Sequence, residues 1–460
     1  MTVFGSCSRI LTKEVFFLQA AMGTVLISRV AMYLSCATLL CFLLSACGGG
    51  IGGTQSPNSP TPPPQGFFRV TSSFFGLHVN RTTTWPSVAF SSLRIWDDGA
   101  KWYLLCPTPT CDFTALDIWI EKAHANGLTD IAYTFGRTPV WASSNPTDIS
   151  CNGSPGACYA PSDLNADGTG SNLIWRDYVT AIATHAGKNI QYWEIWNEPN
   201  GQGFWKGTTA QLVRMAKDAR EIILGINPSA KILSPAPYGL STAPNWLDGF
   251  FAAGGAQYID IVSFHTYYFG AQKCGSYPVA ETVASQIDAV RNVAAKYGLQ
   301  DKPIWSSEGS WGDGSAACFN DHDLRSAFIG RYFVIIASKG LERFYWYGWD
   351  YGPEHGAFWD VTAGLLPEAG AYSQMHDWIA NAALGPCTAT GTVWSCPVAY
   401  GTGSTALLMW DTSQTCSNGV CTTIMMNGPS DVSFFDDLEG NTFPAPNHRV
   451  PVGLKPIRVR

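Results

Sequence analysis

The sequence predicts an α/β protein: a (β/α)8 TIM barrel followed by a small β-sandwich-like domain. Three observations carry this. Eight short apolar runs alternate with amphipathic stretches, the rhythm of parallel strand–helix units. The alternation stops near residue 385, and short β-like runs between turn residues follow it. No glycine-rich phosphate loop follows the first run, which sets aside a doubly wound open sheet, the nearest rival architecture.

The eight strand candidates are residues 73–78, 92–96, 130–135, 191–197, 231–235, 259–265, 303–308 and 343–347. Helical stretches lie at 115–126, 173–186, 209–225, 283–297 and 323–339, and a closing helix falls near 371–384. The β-like runs beyond are 392–400, 405–411, 422–426, 432–435 and 457–460. The expected organisation is a signal segment over 1–47, a disordered Gly/Ser/Pro linker over 48–66, the barrel over 67–385 and the β domain over 386–460.

Composition bounds the function. A chain of 460 residues with 46% hydrophobic and 14% charged residues is neither disordered nor a mini-protein. Its formal charge is −7 and no Lys/Arg cluster offsets it, which argues against a nucleic-acid partner. Eighteen tryptophans point to aromatic surfaces as well as core packing.

The N-terminal segment bears on the compartment. Residues 32–44 are an apolar run too short to span a bilayer comfortably, ending in Leu44-Ser45-Ala46-Cys47. This resembles a bacterial lipobox, with Cys47 acylated and the protein held to the cell envelope by a lipid anchor alone. A plain cleaved secretory signal is the alternative, and Met22 is an alternative start. Ten cysteines follow Cys47, an even number in an exported chain, which reads as disulfides. Neighbour pairing, the simplest of many connectivities, gives Cys106–Cys111, Cys151–Cys158, Cys274–Cys318, Cys387–Cys396 and Cys416–Cys421. A Cys274–Cys318 bond would tie together the rim loops after the sixth and seventh strands. With no CxxC or His/Cys cluster, no metal is expected.

In such a barrel the chemistry sits at the carboxyl ends of the strands. The fourth run ends in Glu194-Ile195-Trp196-Asn197-Glu198-Pro199-Asn200, and the seventh in Trp305-Ser306-Ser307-Glu308-Gly309. Each glutamate alone would read as a surface ion-pair member. Together Glu198 and Glu308 form the carboxylate pair that glycoside hydrolysis needs, one to protonate the leaving oxygen and one to attack or to activate water.

Trp-Asn-Glu-Pro after a fourth strand, with Glu308 ending a seventh, resembles the clan A glycoside hydrolases, and residues 192–200 are most similar to glycoside hydrolase family 39 and its relatives. The resemblance covers about residues 70–385. It implies a retaining enzyme, with Glu198 as general acid/base and Glu308 as nucleophile. It implies that Arg94 holds the nucleophile anionic, that Asn197 bonds the sugar 2-hydroxyl, and that His265 and Tyr267 border the nucleophile. A core histidine is the alternative for His265. Glu194 reads as a buried barrel carboxylate, structural rather than catalytic.

Aromatic platforms bind the C–H faces of sugars. Trp346 and Trp349 after the eighth strand are the first candidates, followed by Trp141 and Trp311; loop-core packing is the alternative for each. His78, after the first strand, is a candidate for a sugar hydroxyl. The partner is therefore a poly- or oligosaccharide, and no cofactor is called for. The spread of tryptophans leans toward an endo-acting cleft. An inactive carbohydrate-binding lipoprotein is the rival function; an esterase or metallohydrolase is disfavoured because GxSxG and HExxH do not occur.

Overall fold

The computed structural model describes residues 63–267, 279–312, 319–352, 355–417 and 419–460. The segment carrying Cys47, and the Cys274–Cys318 pair, lie outside these residues. No helix among the described residues is long and apolar enough to cross a membrane.

Eight parallel strands surround the barrel axis. They are β1 (Phe75–Leu77), β2 (Ser92–Ile95), β3 (Ile131–Thr134), β4 (Tyr192–Glu194), β5 (Lys231–Leu233), β6 (Val262–His265), β7 (Ile304–Gly309) and β8 (Arg343–Trp346). Seven lie inside the expected runs, and β7 exceeds its run by one residue, Gly309. Hydrogen bonding runs β5-β4-β3-β2-β1-β8-β7-β6, and isolated parallel bridges at Leu233–Ile261 and Tyr238–His265 cross the remaining seam.

The surrounding helices are α1 (Thr114–Ala125), α2 (Leu173–Ala186), α3 (Thr209–Ile226), α4 (Thr242–Ala252), α5 (Val283–Lys296), α6 (His322–Ser338) and α7 (Pro367–Ile379). Two differ from expectation. Between β1 and β2 the chain forms only a 3-10 turn at Thr82–Thr84. Helix α4 was masked in the sequence by Pro244 and Gly249, both breakers by composition; Pro244 is tolerated because it sits in the first turn, whose N–H groups have no partner in the helix. Helix α3 starts at a capping box in which Gln211 N donates to Thr208 Oγ1 and Thr208 N donates to Gln211 Oε1.

The second domain is antiparallel. Its main sheet runs Phe68–Arg69, Ala383–Leu384, Val393–Ala399, Thr405–Asp411, Ile457–Val459, Phe434–Asp436 and Thr442–Pro444. A ribbon of Thr423–Asn427 and Arg449–Gly453 faces it across a small core that includes Met409, Val450, Val452 and Val459. The sheet does not respect the linear boundary at 385/386. Phe68–Arg69 pairs with Ala383–Leu384, so the segment entering the barrel and the segment leaving it both become strands of the second sheet. Two-residue strands carry no periodicity, and their partners are over 300 residues away.

Helix α6 lies between barrel and sheet and is buried along nearly its whole length, so no amphipathic stripe marks it. Its Arg331 pairs with Glu281 at 3.0 Å, and Glu281 also accepts from Trp410 of the second sheet at 2.7 Å. Four disulfides, Cys106–Cys111, Cys151–Cys158, Cys387–Cys396 and Cys416–Cys421, staple loops and hairpins. They are bonds of an oxidising compartment, extracellular or periplasmic.

Candidate active site

The barrel interior is apolar at its base, where Ala132, Leu233, Ile261, Trp305 and Tyr345 pack together. Above them lies one cation. Alternation along β2 sends Leu93 and Ile95 to the helices and Arg94 to the axis. Arg94 is 1% exposed. Its Nε donates to Glu194 Oε2 at 2.9 Å, one terminal nitrogen to Glu308 Oε1 at 2.5 Å, and the other to Asn197 Oδ1 at 2.9 Å and to Glu194. Glu194 accepts further bonds from Thr134 Oγ1 (2.9 Å) and Ser263 Oγ (2.6 Å). Burial alone would raise the Glu194 carboxyl, but the adjacent guanidinium holds it below its ordinary value.

Glu308 reaches the axis through an irregularity. The β6–β7 pairing shifts between Phe264–Ser306 and His265–Glu308, leaving Ser307 extra. Ser307 Oγ already faces inward, 2.9 Å from Ser263 Oγ, so simple alternation would turn the next residue outward. The bulge brings Glu308 to the same side. Glu198 is set by a different distortion. Its φ is +46°, the left-handed region, at a residue preceding proline. Such backbone persists only where its surroundings over-determine it. Here Glu198 N donates to Ala236 O and Gly201 N returns to Glu198 O, both at 2.9 Å.

The two glutamates and His265 converge, one oxygen of each carboxylate and a ring nitrogen all lying within 4.8 Å of one another. His265 Nδ1 is 2.8 Å from Glu198 Oε1 and 3.3 Å from Glu308 Oε2. Tyr267 donates its hydroxyl to Glu308 Oε2 at 2.9 Å. This trio is of metal-ligand type. His265 Nδ1, Glu198 Oε1 and both Glu308 oxygens are already committed to hydrogen bonds or ion pairs with one another, with Tyr267 and with a guanidinium, which compete with a cation.

Burial separates the protonation states. It pushes the Glu198 carboxyl up to about 8, against the pull of Arg94, with Asp97 adding to the rise. Burial raises Glu308 too, opposed by His265 and Arg94. Arg94 bonds Glu308 directly and, among the described residues, no Lys or Arg bonds Glu198, so the arrangement favours the charge on Glu308 and the proton on Glu198. His265 is lowered to about 4 by burial and stays neutral.

Around these groups lies a cavity of about 410 Å³. Asn197, Glu198, Tyr267 and Glu308 line it, as expected for site residues; Arg94 and His265 lie directly behind them. The expected platforms do not. Along β8, Tyr345 and Tyr347 face the axis while Trp346 faces outward and stacks on Phe358 at 5.2 Å. Trp311 and Trp349 are likewise buried in the outer core, Trp311 against Phe319, Phe328 and Trp346, and Trp349 bonded to Thr84 O. Trp141 lies in a separate hollow beside Cys111 and Ile174, with its Nε1 bonded to Cys106 O. His78 is 5% exposed and its Nε2 bonds Ser307 O at 2.9 Å, so it braces β7 behind Arg94 and does not line the catalytic cavity. The cavity's own aromatics are Trp96, Phe204, Tyr238, Tyr267, Tyr347 and Tyr351. Trp96, Asp97, Arg137 and Tyr347 follow strand ends and were within reach of the strand-end rule; Asn152 and Phe204 come from mid-loop positions that carry no signal.

A cavity at the carboxyl mouth of a parallel barrel, lined by two glutamates of which only Glu308 is bonded to a guanidinium, has the layout of a hydrolase of glycosidic bonds. The comparisons agree. The model of glycosyl hydrolases family 39 matches residues 127–347. A family 39 glycoside hydrolase from Bacteroides cellulosilyticus WH2 has the same fold with a TM-score of 0.63, at 16% identity over 85% of this chain and 82% of that one. A monomeric beta-xylosidase from Caulobacter crescentus CB15 (TM-score 0.58, 15% identity, 85% and 96% covered) is also similar. So is the catalytic domain of a GH30 xylanase C from Talaromyces cellulolyticus (0.55, 15%, 86% and 99%). Comparison with curated proteins gives no match. The chain is thus similar to the family 39 glycoside hydrolases over residues 127–347 and shares the fold of these enzymes.

Removing Arg94 leaves Glu194 and Glu308 buried without their counter-ion. Arg94→Met is expected to lose about 3–5 kcal/mol of stability at pH 7. Because Glu194 is held below its ordinary value, its contribution is present above about pH 4.3 and lost as pH falls below it. Urea unfolding at pH 7 and at pH 3.5 should therefore show the gap between wild type and variant narrowing in acid. A constant gap would mean that Arg94 acts through packing alone.

Proposed function

We propose that the chain is a retaining glycosidase that cleaves poly- or oligosaccharides by double displacement. The observation that carries this is the spacing of the carboxyl oxygens, one from each glutamate within 4.8 Å. That supports the close pair of a retaining enzyme, about 5–5.5 Å between carboxyls, over the wider pair of an inverting one, about 6.5–9.5 Å.

Glu308 attacks the anomeric carbon as the glycosidic C–O bond breaks, and the leaving oxygen takes the Glu198 proton. Glu198, now a carboxylate, removes a proton from water. The resulting hydroxide equivalent displaces Glu308 from the anomeric carbon and frees the sugar. Arg94 and the Tyr267 hydroxyl hold Glu308 at its attacking position. Asn197 Oδ1 accepts from Arg94, which fixes its amide nitrogen as a donor for the sugar 2-hydroxyl. With Trp311, Trp346 and Trp349 in the core and Trp141 in a separate hollow, the argument for an endo cleft loses its basis, and the mode of action is read from product lengths. Cys47 fits a lipid-anchored enzyme facing the periplasm or the cell exterior, and the disulfides fit the same compartment.

The purified protein, screened for new reducing ends on xylans, glucans, mannans, galactans, arabinans and bacterial exopolysaccharides, is expected to release sugar from at least one. Glu308→Gln should lower turnover by at least about a thousandfold; Glu198→Gln should do so for natural glycans but far less for aryl glycosides, whose leaving groups need no proton. Activity should fall as pH rises through about 8, where Glu198 deprotonates. Turnover that survives Glu308→Gln, or glycan binding without any release, would refute the assignment. Labelling with palmitate should mark the wild type and spare Cys47→Ser; equal labelling of both would refute the anchor.

A further inference from the structure

One charged group of the cavity has no part in the chemistry above. Arg137, just past β3, lines the cavity and is 8% exposed. Its guanidinium lies over the rings of Phe204 (4.8 Å) and Trp96 (5.5 Å), contacts that use the face of the group and leave its N–H edge to donate. Among the described residues no carboxylate pairs with it, and its Nε is buried without a hydrogen-bond partner. The candidate counter-ions are otherwise engaged. Asp97 takes Lys101 Nζ at 2.8 Å and the Tyr347 hydroxyl at 2.7 Å. Glu198 keeps its proton. The wall is shaped to admit the group: a Cβ on Gly153, in the loop closed by Cys151–Cys158, would stand 2.7 Å from the Arg137 terminal nitrogen.

A buried cation without a partner is costly unless a ligand supplies the missing charge. We infer that Arg137 is a specificity-determining residue that receives the carboxylate of an acidic sugar, so that the cavity selects uronate-bearing glycans. A planar carboxylate can take two parallel N–H bonds from the guanidinium edge, which a neutral hydroxyl cannot. The inference rests on the glycosidase reading only for the location of the sugar.

Affinity electrophoresis of the Glu308→Gln protein tests it without hydrolysis, in gels containing polygalacturonate, alginate or glucuronoxylan, each beside its carboxyl-reduced neutral form. The protein's charge of −7 works against non-specific retention by a polyanion. Retardation by at least one acidic polymer is expected, at least tenfold weaker with the reduced form. Arg137→Met should lose at least tenfold in affinity for the acidic form, and Arg137→Lys, which keeps the charge without the fork, should fall between. Equal retardation by both forms, or none by any acidic polymer, would overturn the inference, as would unchanged affinity in Arg137→Met. Should Arg137→Met fail to fold, the reduced polymers and Arg137→Lys decide. Cleavage of neutral glycans without uronate binding would sink this inference and spare the glycosidase; uronate binding with no cleavage of any glycan would do the reverse.

Discussion

Arg94 joins the parts of this site into one unit. A single guanidinium, wholly enclosed by the barrel, contacts Glu194 below, Glu308 beside it and Asn197 above. Such a charge is tolerable only because every direction it faces offers an acceptor, and each of those acceptors is in turn held where the charge is. Glu194 is thereby an anchor: it takes two bonds from Arg94 and others from β3 and β6, so the cation cannot tilt toward the mouth. What remains of the positive field is spent on Glu308.

The division of labour between the two glutamates follows from this placement rather than from their residue type. Both are buried, and burial favours the neutral acid in each. Only Glu308 touches the cation. Glu198 faces His265, which burial keeps neutral and which supplies a hydrogen bond without a charge. Two distortions of regular backbone bring the pair together, the left-handed φ at Glu198 and the register shift before Glu308. Sites of this kind are where local rules are broken, because chemistry requires atoms where unstrained strands would not put them.

Much of this was legible in the sequence. Eight apolar runs gave eight strands because buried parallel strands are apolar on both faces. Glu198 and Glu308 stood out as carboxylates at the carboxyl ends of two apolar runs, and Arg94 through the resemblance to clan A enzymes. The tryptophans misled for a physical reason. A large ring after a strand looks like a platform, yet strand parity decides which side it takes, and Trp346 faces the helices while its neighbour Tyr347 faces the cavity. Arg137 lay three residues past β3, but its lack of a counter-ion is a property of the assembled wall, as are the contacts of Phe204 and Gly153. The strand at Phe68–Arg69 was beyond reach, since two residues hold no pattern and the partner comes from the far end of the barrel.

The central claim is that at neutral pH the proton sits on Glu198 and the charge on Glu308. Isotope-edited infrared titration of the glutamate carboxyls measures this without any substrate. The account requires one carboxyl that is protonated at pH 7, titrates near 8, vanishes in Glu198→Gln and persists, at a lower value, in Glu308→Gln. If that carboxyl instead persists in Glu198→Gln and vanishes in Glu308→Gln, the proton is on the other glutamate and the roles assigned to the pair are wrong.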